Sequence, residues 1–221
     1  MYQHTDLSGQ SIDLPVGKVV CVGRNYLDHI QELNNEVPTE PLLFMKHATA
    51  LCAMSEPLVI PSELGECHNE LEVALLIGKP LSLCDDAGKA AEAVYGIGLA
   101  LDLTLRDVQQ RLKDKGQPWE RAKAFDRACP VSRFVSLNSD ISLDDLSFSL
   151  TINGETRQQG NTSLMIHNIQ SLLCAISGVF TLQPGDIVLT GTPKGVGALQ
   201  QGDQLQAVMA PWFDVTTQVG E

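Results

Sequence analysis

The stretch His68-Asn69-Glu70-Leu71-Glu72-Val73-Ala74-Leu75-Leu76-Ile77-Gly78 carries a β-strand pattern over Glu70–Ile77, closed by Gly78. Side chains alternate across a strand, so Leu71, Val73, Leu75 and Ile77 share one face. Glu70 and Glu72 share the other, which continues as Ala74 and Leu76. A solvent-facing strand edge is the ordinary setting for an E-x-E pair. Here both faces are apolar beyond Glu72, which predicts a covered strand. Two like charges entering a covered face need a cation, or one of them stays protonated. Asp102 interrupts a second apolar run, Gly96–Leu103, beside the small same-face residues Gly98 and Ala100. It could instead cap the helix that follows. Three carboxylates on two strands suit a hard divalent cation, Mg²⁺ or Mn²⁺, with positions left for substrate and water.

Outward from this pair, Lys18–Val22 and Leu42–Lys46 read as strands and Asn25–Leu33 as a short helix. Pro57–Pro61 is an extended piece, and Asp85–Val94 is helical with Asp85 or Asp86 as N-cap. Leu105, Val108 and Leu112 place a helix over about Leu105 to Lys113, ended by Gly116. Ser147–Ile152, Asn153-Gly154 and Glu155–Gln158 form a two-residue hairpin signal. Met165–Ile176 reads as a helix, and Ile187–Thr190 and Gln204–Met209 as strands. Strands outnumber helices without regular alternation, which predicts an α+β fold with a β-rich mixed sheet. No repeat or linker divides the chain, so residues 1–221 read as one catalytic domain.

The 221 residues carry 15 Lys+Arg against 27 Asp+Glu, a net charge of −12, and 43% are hydrophobic. This excludes a disordered chain and argues against nucleic-acid partners. No apolar run approaches the ~18 residues of a membrane span, and the polar N-terminus shows no signal peptide. Cys21, Cys52, Cys67, Cys84, Cys129 and Cys174 are irregularly spaced without a C-x-x-C pair. Buried, unpaired thiols suit a reducing cytoplasm. Eight of the basic residues fall between Arg106 and Arg133 beside four acids. They form either a solvated helix face or a cationic wall for a small anionic substrate.

His29 and Glu32, three apart on a short helix, either form a surface ion pair or orient an imidazole as a general base. Lys123, between Trp119 and Phe125, is either a surface lysine or an ammonium sheltered near an oxyanion. Gly191-Thr192-Pro193-Lys194-Gly195-Val196-Gly197 lacks the order of a phosphate-binding loop and reads as a tight turn lining a pocket, with the Thr192 hydroxyl available.

Taken in order, these segments resemble the fumarylacetoacetate hydrolase superfamily over nearly the whole chain, nearest its small acylpyruvase-like members. The resemblance rests on Gly23-Arg24-Asn25-Tyr26 with Asp28-His29, Phe44-Met45-Lys46, His68–Glu72, and Leu101–Thr104 with Arg106-Asp107 and Gln109. Ile77-Gly78-Lys79, Pro118-Trp119 with Lys123, Pro184-Gly185-Asp186, and Gly191-Thr192-Pro193 with Gly195-Val196-Gly197 complete it. Ala210-Pro211-Trp212-Phe213 departs from the family's usual closing strand. The resemblance implies a dimeric β-rich fold, Mg²⁺ or Mn²⁺ on Glu70, Glu72 and Asp102, and catalysis by His29, Glu32 and Lys123. It implies that Arg24, Tyr26, Arg106, Gln109 and Thr192 approach the substrate.

The activity expected first is hydrolytic cleavage of a C–C bond in a 2,4-dioxo acid, an acylpyruvate, with His29 activating water. The rival keeps the site and changes the reaction, to decarboxylation or tautomerisation of oxaloacetate or isomerisation of a related 2-oxo acid. A non-catalytic binding module with a structural metal is the third reading. The polar, turn-forming segment Gln31–Glu40 reads as a lid.

Overall fold

The computed structural model describes residues 2–61 and 63–220. In chain order its strands are β1 (Val19–Gly23), β2 (Leu42–Lys46), β3 (Leu51–Ala53), β4 (Cys67–Asn69), β5 (Leu71–Ile77), β6 (Val94–Leu101), β7 (Thr104–Leu105), β8 (Cys129–Val131), β9 (Val135–Ser136), β10 (Ser147–Ile152), β11 (Glu155–Asn161), β12 (Ile187–Leu189), β13 (Gly197–Ala198), β14 (Gln204–Met209) and β15 (Phe213–Gln218). Its helices are α1 (Leu27–Glu32), α2 (Ala87–Glu92), α3 (Arg106–Asp114), α4 (Glu120–Lys123) and α5 (Ile169–Val179).

The main sheet runs β2-β1-β12-β5-β6-β8-β3, with β9 joining β6. It is mixed: β1 pairs parallel with β12 and β3 with β8, while β5 runs antiparallel to both its neighbours. β11-β10-β14-β15 form a second sheet and β13-β4-β7 a third. This is the α+β, β-rich architecture expected from the sequence.

β5 is buried along its whole length, and alternation sorts its side chains into two cores. Leu71, Val73, Leu75 and Ile77 pack with Leu172, Leu173 and Ile176 of α5 and with Leu150 and Leu205 of the second sheet. Ala74 and Leu76 pack on the other face with Val19, Cys21, Ala100 and Cys129, covered by Leu14 and Val16 of the N-terminal segment. Burying each such leucine contributes roughly 1.5–3 kcal/mol. That double cover forces Glu70 and Glu72 into the interior.

Several boundaries differ from expectation for local reasons. The first helix starts at Leu27, because the Asn25 side chain is engaged with the backbone of His167 and Thr190. α5 starts at Ile169, where Asn168 caps it by accepting the Ser171 N–H at 2.9 Å; Thr162–Leu164 is a separate 3-10 turn. Asp86 is the N-cap of α2. The hairpin turn Asn153-Gly154 has φ of 53° and 79°, the left-handed pair that a two-residue turn demands. Ala210–Trp212 is the turn into β15, which pairs with β14 and closes the second sheet.

Candidate functional site

β5 and β6 set the register of the acidic group. Leu71 lies opposite Leu101 and Glu72 opposite Ala100, so Glu70 comes opposite Asp102 just beyond the paired ends. The Asp102 N–H donates to the Glu70 carbonyl at 2.8 Å and fixes that position. All three carboxylates are buried, and one oxygen from each lies within 4.8 Å of the others.

Two of the three are matched by cations. Lys123 Nζ donates to Glu70 Oε2 and Asp102 Oδ2, at 2.7 Å each. Arg106 pairs with Glu70 Oε1, and Lys46 Nζ stands 2.7 Å from Asp102 Oδ1. Glu72 has no such partner among the described residues; its Oε2 accepts only the Gly191 N–H, at 2.6 Å. Burial raises its pKa well above the usual range, and the neighbouring Asp102 and Glu70 raise it further. Burial also works against charge on Glu70, but Lys123 and Arg106 outweigh it and hold that carboxyl low. The Lys123 ammonium is likewise kept charged by Asp102 and Glu70 against its burial. Hard oxygen donors converging with one unmatched carboxylate fit a divalent cation such as Mg²⁺ or Mn²⁺, since each engaged carboxylate oxygen keeps a second lone pair.

His29, on α1, sits beside this group in the wall of a cavity of about 30 Å³. Burial lowers its pKa despite the opposing pull of Glu70 and Glu32, so the imidazole is neutral at pH 7. Its Nδ1 lies 3.4 Å from Glu32 Oε2. Glu32 is anchored in turn by the Gly195 N–H, at 3.0 and 3.2 Å from its two oxygens. The glycine loop thus holds two acids by backbone N–H groups, Gly191 on Glu72 and Gly195 on Glu32. Both glycines adopt φ near +100° (+103° and +97°). A Cβ at Gly195 would fall 1.8 Å from the Arg157 carbonyl oxygen, and one at Gly191 would fall 2.7 Å from Asn25 Cβ.

Arg24, Arg106, Gln109 and Thr192 also line the cavity. Arg24 has φ of 60°, and its guanidinium reaches Asn35 Oδ1 at 2.9 Å. Gln109 accepts from Arg106 Nη1 at 2.8 Å. The Thr192 hydroxyl is already engaged, donating to the Leu71 carbonyl and accepting from Gln158 Nε2. Tyr26 is not in the wall; it is buried in the apolar core, where burial and then Glu72 push its phenol up. Lys123 is sheltered by Phe44, whose ring centroid is 5.0 Å from Nζ, rather than by Trp119 or Phe125. Within the basic stretch, Arg106, Lys113 and Lys123 face the cavity, whereas Arg111 and Arg127 pair with surface acids. Leu33 and Asn35 of the expected lid segment lie in the cavity wall.

Lys46 and Gln158 carry no role in the sequence reading. Lys46, at the end of an apolar strand, is 1% exposed and donates to the carbonyls of Leu103, Lys123 and Ala128. Gln158 ties Asn69 and the Leu71 N–H to Thr192 and Pro193. A larger groove of about 1330 Å³ elsewhere contains none of these site residues.

The sequence model of the fumarylacetoacetate (FAA) hydrolase C-terminal family matches residues 18–220. The chain belongs to this family. Within it, the oxaloacetate tautomerase YcgM of Escherichia coli (strain K12) is 51% identical over 221 residues, 99% of this chain and 100% of that protein. The mitochondrial oxaloacetate tautomerase FAHD1 of Homo sapiens is 43% identical over 189 residues, 86% of this chain and 85% of that protein. The crystal structure of fumarylpyruvate hydrolase from Pseudomonas aeruginosa, in complex with Mn²⁺ and pyruvate, superposes with a TM-score of 0.92 at 33% identity, covering 99% of this chain and 95% of that one.

Proposed function

We propose that this chain is a divalent-metal-dependent oxaloacetate tautomerase, interconverting the keto and enol forms of that 2-oxo acid. The observation that carries the reading is the buried group of Glu70, Glu72 and Asp102 beside a neutral His29. Full-length similarity to an oxaloacetate tautomerase favours this reaction over the hydrolysis expected first from the sequence. Glu70, Glu72 and Asp102 would hold Mg²⁺ or Mn²⁺, which supplies Lewis acidity toward a 2-oxo carboxylate when bound.

The protein's own groups divide the proton transfer. Tautomerisation breaks the C3–H bond and places a proton on the C2 oxygen. With Nδ1–H directed at Glu32, His29 presents Nε2 as the acceptor for the C3 proton, and the imidazolium so formed gives that proton to the C2 oxygen. Lys123, kept protonated by Glu70 and Asp102, donates a hydrogen bond toward the developing negative charge on oxygen. Arg24, Arg106 and Gln109 bind and orient the substrate, and Thr192 holds the glycine loop against β5. Tyr26 supports the Glu72 side of the site from within the core. Leu33 and Asn35 of the segment Gln31–Glu40 stand in the cavity wall, which supports a lid there.

Hydrolysis of an acylpyruvate is the second reading, favoured by the close superposition on a fumarylpyruvate hydrolase. Residues 1–221 act in this scheme as one catalytic domain, a homodimer in a reducing compartment such as the cytoplasm. Six free cysteines support the compartment, and light scattering after size-exclusion chromatography checks the dimer. Proton NMR in D₂O separates the two reactions. Accelerated deuterium exchange at C3 of oxaloacetate, abolished by EDTA, supports the tautomerase. Release of acetate and pyruvate from acetylpyruvate without that exchange would move the function to the hydrolase.

A further inference from the structure

Four cations line the cavity, and they are not equivalent. Arg106 and Lys123 are matched by Glu70 and Asp102. Arg24 and Lys113 have no carboxylate within ion-pair distance among the described residues. Arg24 reaches only the Asn35 side-chain oxygen and the Glu36 carbonyl.

Lys113 is placed by design of the helix. Arg106, Gln109 and Lys113 are spaced by three and four residues, so α3 presents them on one face to the cavity. The Lys113 ammonium rests on the Trp119 ring, 5.2 Å from its centroid, and that ring packs against Phe44 at 5.8 Å. Phe44 in turn carries Lys123. Two adjoining rings therefore hold one ammonium over the acidic group and a second farther along the wall. Burial, and then repulsion from Arg106, Arg24 and Lys123, push the Lys113 pKa down to about 8. Uncompensated positive charge in a cavity wall is relieved by an anion.

We propose that Lys113, with Arg24, binds the second carboxylate of a dicarboxylic 2-oxo acid and so sets a preference for diacids over monoacids. This rests on the 2-oxo acid reading above. In that arrangement the 2-oxo-carboxylate end lies at Glu70, Glu72, Asp102 and Lys123, and the distal carboxylate meets Lys113 and Arg24. Held over Trp119, the Lys113 ammonium gives up little freedom on binding, which favours a charge-assisted bond.

Calorimetric titration of the Mn²⁺-loaded protein with 2-oxoglutarate and with 2-oxopentanoate tests this. The two have the same carbon chain and differ only at the distal end. Wild type should bind the diacid at least roughly tenfold more tightly, the worth of one charge-assisted contact. Lys113→Met, which keeps the apolar stem on Trp119, should bring the two affinities within about threefold by weakening the diacid alone. Lys113→Arg should keep most of the preference, showing that charge and not packing is read. Equal affinities in wild type, or an unchanged ratio in Lys113→Met, would overturn the inference and leave the 2-oxo acid site standing. Binding of neither acid by wild type would overturn the site reading and the inference together.

Discussion

Replacing Lys46 with methionine isolates the electrostatic framework beneath the acidic group. Lys46 Nζ stands 2.7 Å from Asp102 Oδ1 and donates to the carbonyls of Ala128 at 3.0 Å and Leu103 at 3.3 Å, and also to that of Lys123. Methionine fills similar volume, so little of the effect comes from a cavity. What is lost is one partner of a buried ion pair, which costs about 3–5 kcal/mol because Asp102 stays buried with only Lys123, a cation it shares with Glu70. In a chain of this length roughly 2–4 °C of Tm accompanies each kcal/mol, so the expected fall is roughly 6–20 °C. The assay is thermal unfolding in EDTA and again with saturating Mn²⁺. The metal returns a cation to Asp102, so the gap from wild type should narrow when Mn²⁺ is added. Lys194→Met is the control: its partner is Asp28 on the surface, both side chains more than 60% exposed, and such solvent-screened pairs contribute little. A Lys46→Met protein melting within about 2 °C of wild type in EDTA would refute this account of the framework.

Binding of a divalent ion should displace protons from Glu72, because burial beside Asp102 and Glu70 raises its pKa and favours the protonated form when no metal is bound. Mn²⁺ titrations in two buffers of different ionisation enthalpy should show net proton release, and metal affinity should rise with pH; no release would contradict the assignment. Gly191→Ala places a Cβ 2.7 Å from Asn25 Cβ at φ of +103° and disturbs the N–H on Glu72. It should cost about 1–3 kcal/mol of stability and also weaken Mn²⁺ binding, seen together by denaturant unfolding and calorimetry. His29 acts in its neutral form, and its pKa lies below the ordinary 6.5. At saturating substrate the rate should therefore fall on the acid side, below pH 6.5, as the imidazole takes up its proton. His29→Asn should abolish the acid limb along with most of the activity.

The acidic group was legible because its signal is local. Alternation along Glu70–Ile77 showed two covered faces, and Asp102 stood out as a charge in an apolar run. The structure adds the register that puts Glu70 opposite Asp102. Lys46 was not legible in the same way. A lysine closing an apolar strand looks like a surface residue, and the carbonyls that hold it lie 57, 77 and 82 residues away in sequence. Trp119 and Phe125 flank Lys123 in the chain, yet the ring beneath it is Phe44 of β2, brought there by sheet packing. Tyr26 follows Arg24 closely, but the left-handed backbone at Arg24 sends that guanidinium to the cavity while Tyr26 turns into the core. The three-residue strands β3 and β8 are too short to show alternation, and pairing in the sheet defines them, β3 with β8 and β8 with β6.

The most direct test follows the decay of the enol absorbance of oxaloacetate by stopped flow with metal-loaded, EDTA-stripped and Mn²⁺-restored protein. The account predicts acceleration by the loaded protein, loss of that acceleration on stripping, and recovery with Mn²⁺ in wild type but not in Glu72→Gln. Equal acceleration by stripped and loaded protein, or by Glu72→Gln, would contradict it.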